Sequence, residues 1–369
     1  MKRYVITLAT ATAMATPAAV LADNHTEGPD LYGRVHLSLN GVNTRTGSEN
    51  TGVGISSNAS RFGIRGSEEL NDRVTGIYQL ELGLSWAGNS SSTIAGGNYD
   101  SIWDQVRDSY VGVEGDFGTL RAGRLPAANQ YVYDSNYLMD TIADVGVITH
   151  LGIGGRFDTA LQYDTPDAAL GPFAIKATYA PAGYVEKDDD GNITDNKANE
   201  DNLALRGSFA DGPWHAGLSV MHLGASGADP GDDSYNVYTL GGGYSHDSGT
   251  SIGALFGARD HDGEGVEKDD QFAALGGALP VTQNGSLKAQ LVQFMGDEEE
   301  SDATTVGGGY YYTMSQRTEL YGVAAYTRND ENRANHTYGY GHGGLPQGVD
   351  GVGSDADTYA ASIGLRHDF

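Results

Sequence analysis

The sequence predicts an all-β protein, a single closed antiparallel barrel of sixteen strands that crosses a membrane. Three observations predict it. Apolar and polar side chains alternate with period two from one end of the chain to the other. The connections between the alternating segments are short and long in turn. Beyond residue 22 there is no apolar run of the roughly eighteen residues that a spanning helix needs, so strands must make any crossing.

The chain opens with Lys2 and Arg3, followed by an apolar stretch from Tyr4 to Val20 that ends in Val20-Leu21-Ala22. A basic start, an apolar middle and a small-residue end mark a secretory signal peptide over residues 1–22, with cleavage after Ala22. The alternative, a permanent anchor, fits poorly. The stretch is short for a spanning helix and is interrupted by Thr7, Thr10, Thr12, Thr16 and Pro17. Residues 23–369 then form the barrel domain.

The first strand pattern sets Leu31, Gly33, Val35, Leu37 and Leu39 on one face and Tyr32, Arg34, His36, Ser38 and Asn40 on the other. The last sets Tyr359, Ala361, Ile363, Leu365, His367 and Phe369 opposite Thr358, Ala360, Ser362, Gly364, Arg366 and Asp368. A strand with one apolar and one polar face turns its apolar side to a protein core or to lipid. Sixteen such segments parse, near 31–40, 58–67, 73–86, 105–115, 119–124, 156–164, 172–180, 201–209, 214–223, 234–246, 249–260, 268–279, 285–296, 302–313, 317–329 and 357–369. The number is even, as a barrel with both termini at one rim requires. The segment 105–115 alternates less regularly than the others.

Short connections carry turn chemistry: Gly115-Asp116-Phe117-Gly118, Asp211-Gly212-Pro213, His246-Asp247-Ser248, Gln283-Asn284-Gly285 and Met314-Ser315-Gln316. Long ones lie between them, at 41–57, 87–104, 125–155, 181–200, 224–233 and 330–356. A soluble sandwich has no reason to sort turns and loops to opposite ends, whereas an outer-membrane barrel does. Closure follows from hydrogen bonding, because in lipid every backbone N–H and C=O needs a partner and an open sheet edge is forbidden. Tyr310, Tyr311, Tyr312, Tyr321, Tyr326 and Phe369 suit aromatic girdles at the headgroups, with an ordinary aromatic core as the alternative.

The 369-residue chain carries a formal charge of −27; without Lys2 and Arg3, 20 basic face 49 acidic side chains, a charge of −29. Such a balance repels phosphate backbones and argues against a nucleic-acid partner. Cysteine is absent, which removes disulfides, thiolate metal sites and thiol nucleophiles.

The segments Leu31-Tyr32-Gly33-Arg34-Val35, Ser60-Arg61-Phe62-Gly63-Ile64-Arg65-Gly66-Ser67-Glu68-Glu69-Leu70 and Tyr110 to Arg124, together with the terminal Phe369, resemble the general diffusion porins of Gram-negative bacteria over essentially the whole mature chain. The resemblance implies a sixteen-stranded, homotrimeric outer-membrane channel for small hydrophilic solutes and ions, flanked by lipid and lipopolysaccharide. It also implies a constriction, in which the third long loop (125–155) folds inward with Asp134, Asp140 and Asp144 to face Arg61, Arg107 and Arg156 on the wall. Arg34 and Arg65 share the polar phase of their strands and are expected to point inward with them. Arg121 and Arg124 are weaker candidates. Opposed arginines and aspartates set a field across a pore and sort ions by sign without holding them. The other reading of these arginines is that they pair with nearby carboxylates and hold the barrel together.

Excess acid falls in the expected outer loops, at Glu186 to Asp190, Asp260 to Asp270 and Asp297 to Glu300, which favours weak cation selectivity. Arginines at the narrowest point oppose it, since charges more than a Debye length away are screened. The run from Glu186 resembles the start of a calcium loop, but its twelfth position is Lys197 where a bidentate Glu is needed. Gly339-Tyr340-Gly341-His342-Gly343-Gly344 fits G-x-G-x-x-G with no strand–turn–helix context. No cofactor motif, paired metal spacing or G-x-S-x-G appears, so an enzyme is not expected. A substrate-selective channel of the same build and, more remotely, a barrel enzyme of the outer membrane remain the alternatives.

Overall fold

The computed structural model describes residues 29–45, 49–86, 102–128, 135–145, 155–167, 169–181, 186–187, 193–195, 201–224, 234–261, 269–333 and 355–369. The expected signal peptide, Asp134 and the Gly-rich run at 339–344 lie outside them, as does most of the calcium-like segment.

Among the described residues twenty strands run in chain order: β1 (Asp30–Arg45), β2 (Glu49–Ser57), β3 (Arg61–Asn71), β4 (Val74–Leu84), β5 (Trp103–Val106), β6 (Ser109–Gly115), β7 (Gly118–Pro126), β8 (Arg156–Asp164), β9 (Phe173–Ala180), β10 (Glu186–Lys187), β11 (Ile193–Asp195), β12 (Asn202–Asp211), β13 (Trp214–Leu223), β14 (Tyr235–Ser245), β15 (Ser251–His261), β16 (Gln271–Thr282), β17 (Gly285–Met295), β18 (Ala303–Ser315), β19 (Thr318–Asn329) and β20 (Asp357–Asp368). β10 and β11 pair only with each other, and the other eighteen form one sheet. β2 and β3 both pair with β1, and β5 and β6 both pair with β4, so each couple is one wall strand with a break in it. The wall therefore has sixteen strands and closes where β1 pairs with β20, from Arg34↔Asp368 to Arg45↔Asp357.

The sixteen segments of the sequence parse each fall on a wall strand. The main difference lies at 41–57, expected as a long loop. There β1 continues to Arg45 and β2 begins at Glu49, in register from Leu37↔Ser57 to Arg45↔Glu49, so the first hairpin extends beyond its expected end. Alternation persists through it, but Gly41, Asn43, Gly52 and Gly54 lower its apolar content and disguise the strand. The breaks explain the poor alternation of 105–115: Arg107 and Asp108 sit between β5 and β6, outside the two-residue rhythm.

The alternation resolves into an apolar outside and a polar inside. Outward side chains stay uncovered, with Ile363 65%, Val111 64%, Ile55 57% and Leu240 54% exposed. The inward neighbours Ser362, Asn40, Ser38 and Thr239 are buried. So many uncovered aliphatic side chains form a belt far larger than the patches a soluble surface tolerates, and lipid is the solvent that suits them. The 11 residues of β4 make about 36 Å of strand, and a tilt of about 40° turns that into roughly 28 Å of height, close to a hydrocarbon core.

The rim carrying both termini holds the tight turns. Gly118, at φ +101°, begins β7 where a Cβ would lie 2.2 Å from the Asp164 carbonyl oxygen, so no other residue fits. Closure is finished by a reciprocal pair, Gly33 N–H to Phe369 O and Phe369 N–H to Gly33 O, both 3.0 Å. Nothing at this seam is left as a free edge.

Candidate pore constriction

The third long loop enters the cylinder because the inner wall offers it an apolar seat. On β1, β19 and β20 the inward phase, elsewhere polar, presents Val42, Val323, Ala325 and Ala360, flanked by Tyr311 and Tyr321. Leu138, Ile142 and Ala143 of the loop pack there and are fully buried. Gly307 of β18 makes the room: a Cβ on it would lie 2.3 Å from Ala143 Cβ and 2.9 Å from Leu138 Cδ1. Seating three apolar side chains in a dry contact drives the docking. Hydrogen bonds then fix its register. Tyr137 N–H donates to Gln290 Oε1 (2.8 Å), Gln290 Nε2 donates to the Ala143 carbonyl (3.2 Å), and Ser135 Oγ donates to the Gly242 carbonyl (3.1 Å). Burial pushes the Tyr137 phenol above its ordinary pKa, against the pull of a hydrogen bond with Ser251.

The sequence groups Asp134, Asp140 and Asp144 as lumen-facing loop charges, and the structure separates the last two. Asp144 turns into the loop, where its oxygens accept from Asn136 Nδ2 (2.7 Å) and the Asp140 N–H (2.6 Å). It is 6% exposed, and these two bonds tie it to residues of the same loop. That bond helps hold Asp140 in a left-handed conformation (φ +58°), and the Asp140 carboxylate reaches Arg34 Nη1 at 3.6 Å.

The arginines of the wall stand in contact with carboxylates. Arg34, Arg61 and Arg65 lie on the inward phase of β1 and β3, with Arg34 directly opposite Arg61 in the register. Glu81, inward on β4, receives Arg107 Nε at 2.6 Å, Arg61 Nε at 3.8 Å and the Tyr32 hydroxyl at 3.0 Å. Arg156 Nε meets Asp108 Oδ1 at 2.6 Å. Arg34 Nε meets Asp368 Oδ1 at 2.6 Å, and Arg366 Nη2 meets the other oxygen of Asp368 at 3.0 Å. The break between β5 and β6 lets two successive residues, Arg107 and Asp108, both serve this cluster. Arg65 stands apart, its guanidinium 4.9 Å from the centre of the Tyr32 ring. Arg121 shares Asp164 with Lys176, and Arg124 pairs with Asp158.

Sequence reasoning names the arginines and sets Arg366 and Asp368 on a polar face, but does not single out the carboxylate partners. Glu81, Asp108, Asp368 and the inward cations Lys288 and Arg366 were readable by the same phase rule, apart from Asp108, which sits in the strand break. Among the described residues, no group of three or more His, Cys, Asp or Glu side chains is placed to hold a metal ion.

A closed cylinder with an apolar exterior and a charged, polar interior, narrowed by an inward loop, is an outer-membrane channel. The sequence profile of Gram-negative porins matches residues 9–332, and the chain belongs to that family. The major outer membrane protein P.IA of Neisseria meningitidis (serogroup B, serotype 15, strain H44/76) is 25% identical over 364 residues, covering 85% of this chain and 82% of that one. The major outer membrane protein P.IB of Neisseria lactamica is 27% identical over 259 residues, with 67% and 68% covered. Among solved structures, the anion-selective porin from Comamonas acidovorans superposes with a TM-score of 0.71 at 23% identity, over 93% of this chain and 99% of that chain. The trimer form of OmpT from Vibrio cholerae gives 0.60 at 18% identity, over 93% and 100%. This chain is an outer-membrane porin of a Gram-negative bacterium.

Proposed function

We propose that the channel passes small hydrophilic solutes and ions by diffusion, without chemistry on them, and that it is weakly cation-selective. The observation that carries this reading is the pairing of the constriction charges: Arg61, Arg107, Arg156 and Arg34 each touch a carboxylate of this chain, so most of their field is offset within a few ångström, although Arg61 and Arg107 share the one charge of Glu81. What survives at distance is the acid of the outer rim, where Asp297, Glu298, Glu299, Glu300, Asp330, Glu331, Asp355 and Asp357 outnumber Arg45, Arg328 and Arg333. A negative mouth raises the local cation concentration. The Comamonas channel is described as anion-selective. At 23% identity that description does not fix the sign here, and the charges of this chain favour the opposite one.

The mature protein, cleaved after Ala22, assembles as a homotrimer in contact with lipid and lipopolysaccharide; a trimeric neighbour supports the assembly. Reversal potentials across a planar bilayer under a tenfold KCl gradient test the selectivity. A small cation-positive potential that grows as total salt falls is expected. A potential of anionic sign at every salt concentration refutes it, and conductance that saturates with one solute class replaces open diffusion with a specific site.

A further inference from the structure

On the long strands, polar side chains of the outward phase pair beside the loops, as His222 does with Asn236 and Gln293 with Thr304. One sector departs from this. On β7 and β8 the outward side chains of Arg124 and Asp158 form an ion pair. Their direction follows from their neighbours: Leu125, Phe157 and Ala160 face inward and are buried, whereas Leu120 and Leu161 stand 44% and 48% exposed on the outside. A bulge, with Thr159 at φ +53°, sets Asp158 and Thr159 together against the single Arg124 of β7. Arg124 lies six residues above Gly118 at the tight turn, about 20 Å along the strand and about 15 Å in height. That is near the middle of an apolar band about 25 Å tall, where a charge turned to lipid is costly.

The pair is also incomplete. Arg124 is engaged twice, by Asp158 and by the Val106 carbonyl, which takes its Nε–H at 2.8 Å. The Asp158 carboxylate has no other partner among the described residues, and its side chain is 74% exposed. An independent feature marks the same sector, the height of the wall. β7 and β8 have 9 residues each and β9 has 8, against 11, 13 and 12 for β17, β18 and β19 across the barrel. At about 3.3 Å per residue and a tilt of about 40°, this is about 20–23 Å of wall against about 28–33 Å. The tall side matches a hydrocarbon core of about 30 Å and the low side falls short of it. A protein surface supplies what lipid cannot, the missing height and a donor for the open carboxylate. Val111, Leu120 and Leu161 around the pair give that contact an apolar rim.

We propose that the outer face of β6, β7 and β8 is covered by a second copy of this chain, which donates a hydrogen bond to the Asp158 carboxylate. This rests on the homotrimer reading; in a closed three-fold ring the donor belongs to a different surface of the neighbour. The tall sector from β17 to β19 is left to lipid.

The chain has no cysteine, so one introduced thiol reports one place. Spin labels on Ala122→Cys of β7 and on Leu291→Cys of β17, across the barrel, are compared by pulsed dipolar spectroscopy of the full channel in phosphatidylcholine vesicles. Strands about 4.8 Å apart at that tilt close a sixteen-stranded barrel about 30 Å across. Labels at 122 on neighbouring copies are expected within about 30 Å of each other, and those at 291 beyond about 50 Å. Asp158→Ala should raise the dissociation constant of the oligomer at least about tenfold, read by mass photometry on dilution in detergent, while Leu291→Ala leaves it unchanged. A wild-type channel that is monomeric in the same measurement removes the homotrimer reading and this one with it. A trimer whose 122 labels lie no closer than its 291 labels, or one that Asp158→Ala leaves equally tight, overturns the assignment of this face alone.

Discussion

Glu81→Gln removes one negative charge from the constriction while leaving the shape of the side chain. Arg107 at 2.6 Å and Arg61 at 3.8 Å then share a neutral amide, and the net charge of the cluster rises by one. For a permeant ion about 5 Å away in a water-filled lumen, the bare interaction is roughly 0.8 kcal/mol. Screening reduces it to about 0.4 kcal/mol at 0.15 M salt, leaves about 0.7 at 0.01 M and about 0.2 at 1 M. The term acts with opposite sign on cations and anions, so the permeability ratio moves by its double. The ratio of cation to anion permeability should fall about fourfold at 0.15 M, about tenfold at 0.01 M and less than twofold at 1 M. Reversal potentials of the wild type and the variant at the three salt concentrations measure it. A ratio unchanged at 0.01 M means that permeating ions do not pass the Glu81 cluster. A shift that persists at 1 M means that the variant changed the shape of the pore rather than its field.

Three further outcomes follow from the same geometry. Asp144→Ala removes the acceptor for the Asp140 N–H and Asn136 Nδ2, costing about 1–3 kcal/mol of loop order. Single-channel noise should rise while the permeability ratio holds, and a changed ratio with quiet current would return Asp144 to the pore. Leu138→Asp places a charge in the seat formed with Val323 and Ala325 and should release loop 3. Liposome swelling should then admit larger sugars, and unchanged swelling would show that the loop is held elsewhere. Ile363→Arg and Ser362→Arg differ by one position and by face. In lipid vesicles the first should cost about 2–4 kcal/mol of unfolding free energy and the second much less, an order that reverses if the barrel is inside out.

The fold was legible because lipid imposes one rule on every strand, and period two shows through even the Gly-rich segments. β20 is the clearest case, with Ile363 and Leu365 outside and Ser362 and Arg366 inside as the alternation requires. The breaks at 58–60 and 107–108 were not legible, since a bulge is set by what the neighbouring strands demand. Ala59 at φ +52° gives no sign in its sequence of a left-handed turn. The inward carboxylates were legible in principle. Glu81 sits in phase with Gln79 between the apolar Leu80 and Leu82, so the phase rule that selected Arg34 and Arg65 selects it too. Loop positions were not, because no periodicity distinguishes Asp140, which reaches Arg34, from Asp144, which folds back on its own turn.

The docking of loop 3 suggests where the missing signal lies. A barrel strand needs apolar residues only on the phase that meets lipid, so an apolar residue on the other phase has no reason to be there unless something dry covers it. Val323 and Ala325 lie in phase with Glu319 and Thr327, and Val42 in phase with Asn40 and Thr44. These exceptions gather on three neighbouring wall strands, β19, β20 and β1, two of which also carry Arg34 and Arg366, and they mark where the inward loop docks. A second set, Val237, Phe272, Val292 and Phe294 on β14, β16 and β17, lies in one apolar cluster with Leu125, Ala127 and Val145 from the two legs of the loop. The polar phase of a porin strand therefore carries two messages: its charges line the water path, and its lapses into apolar residues mark the surface that the inward loop must cover.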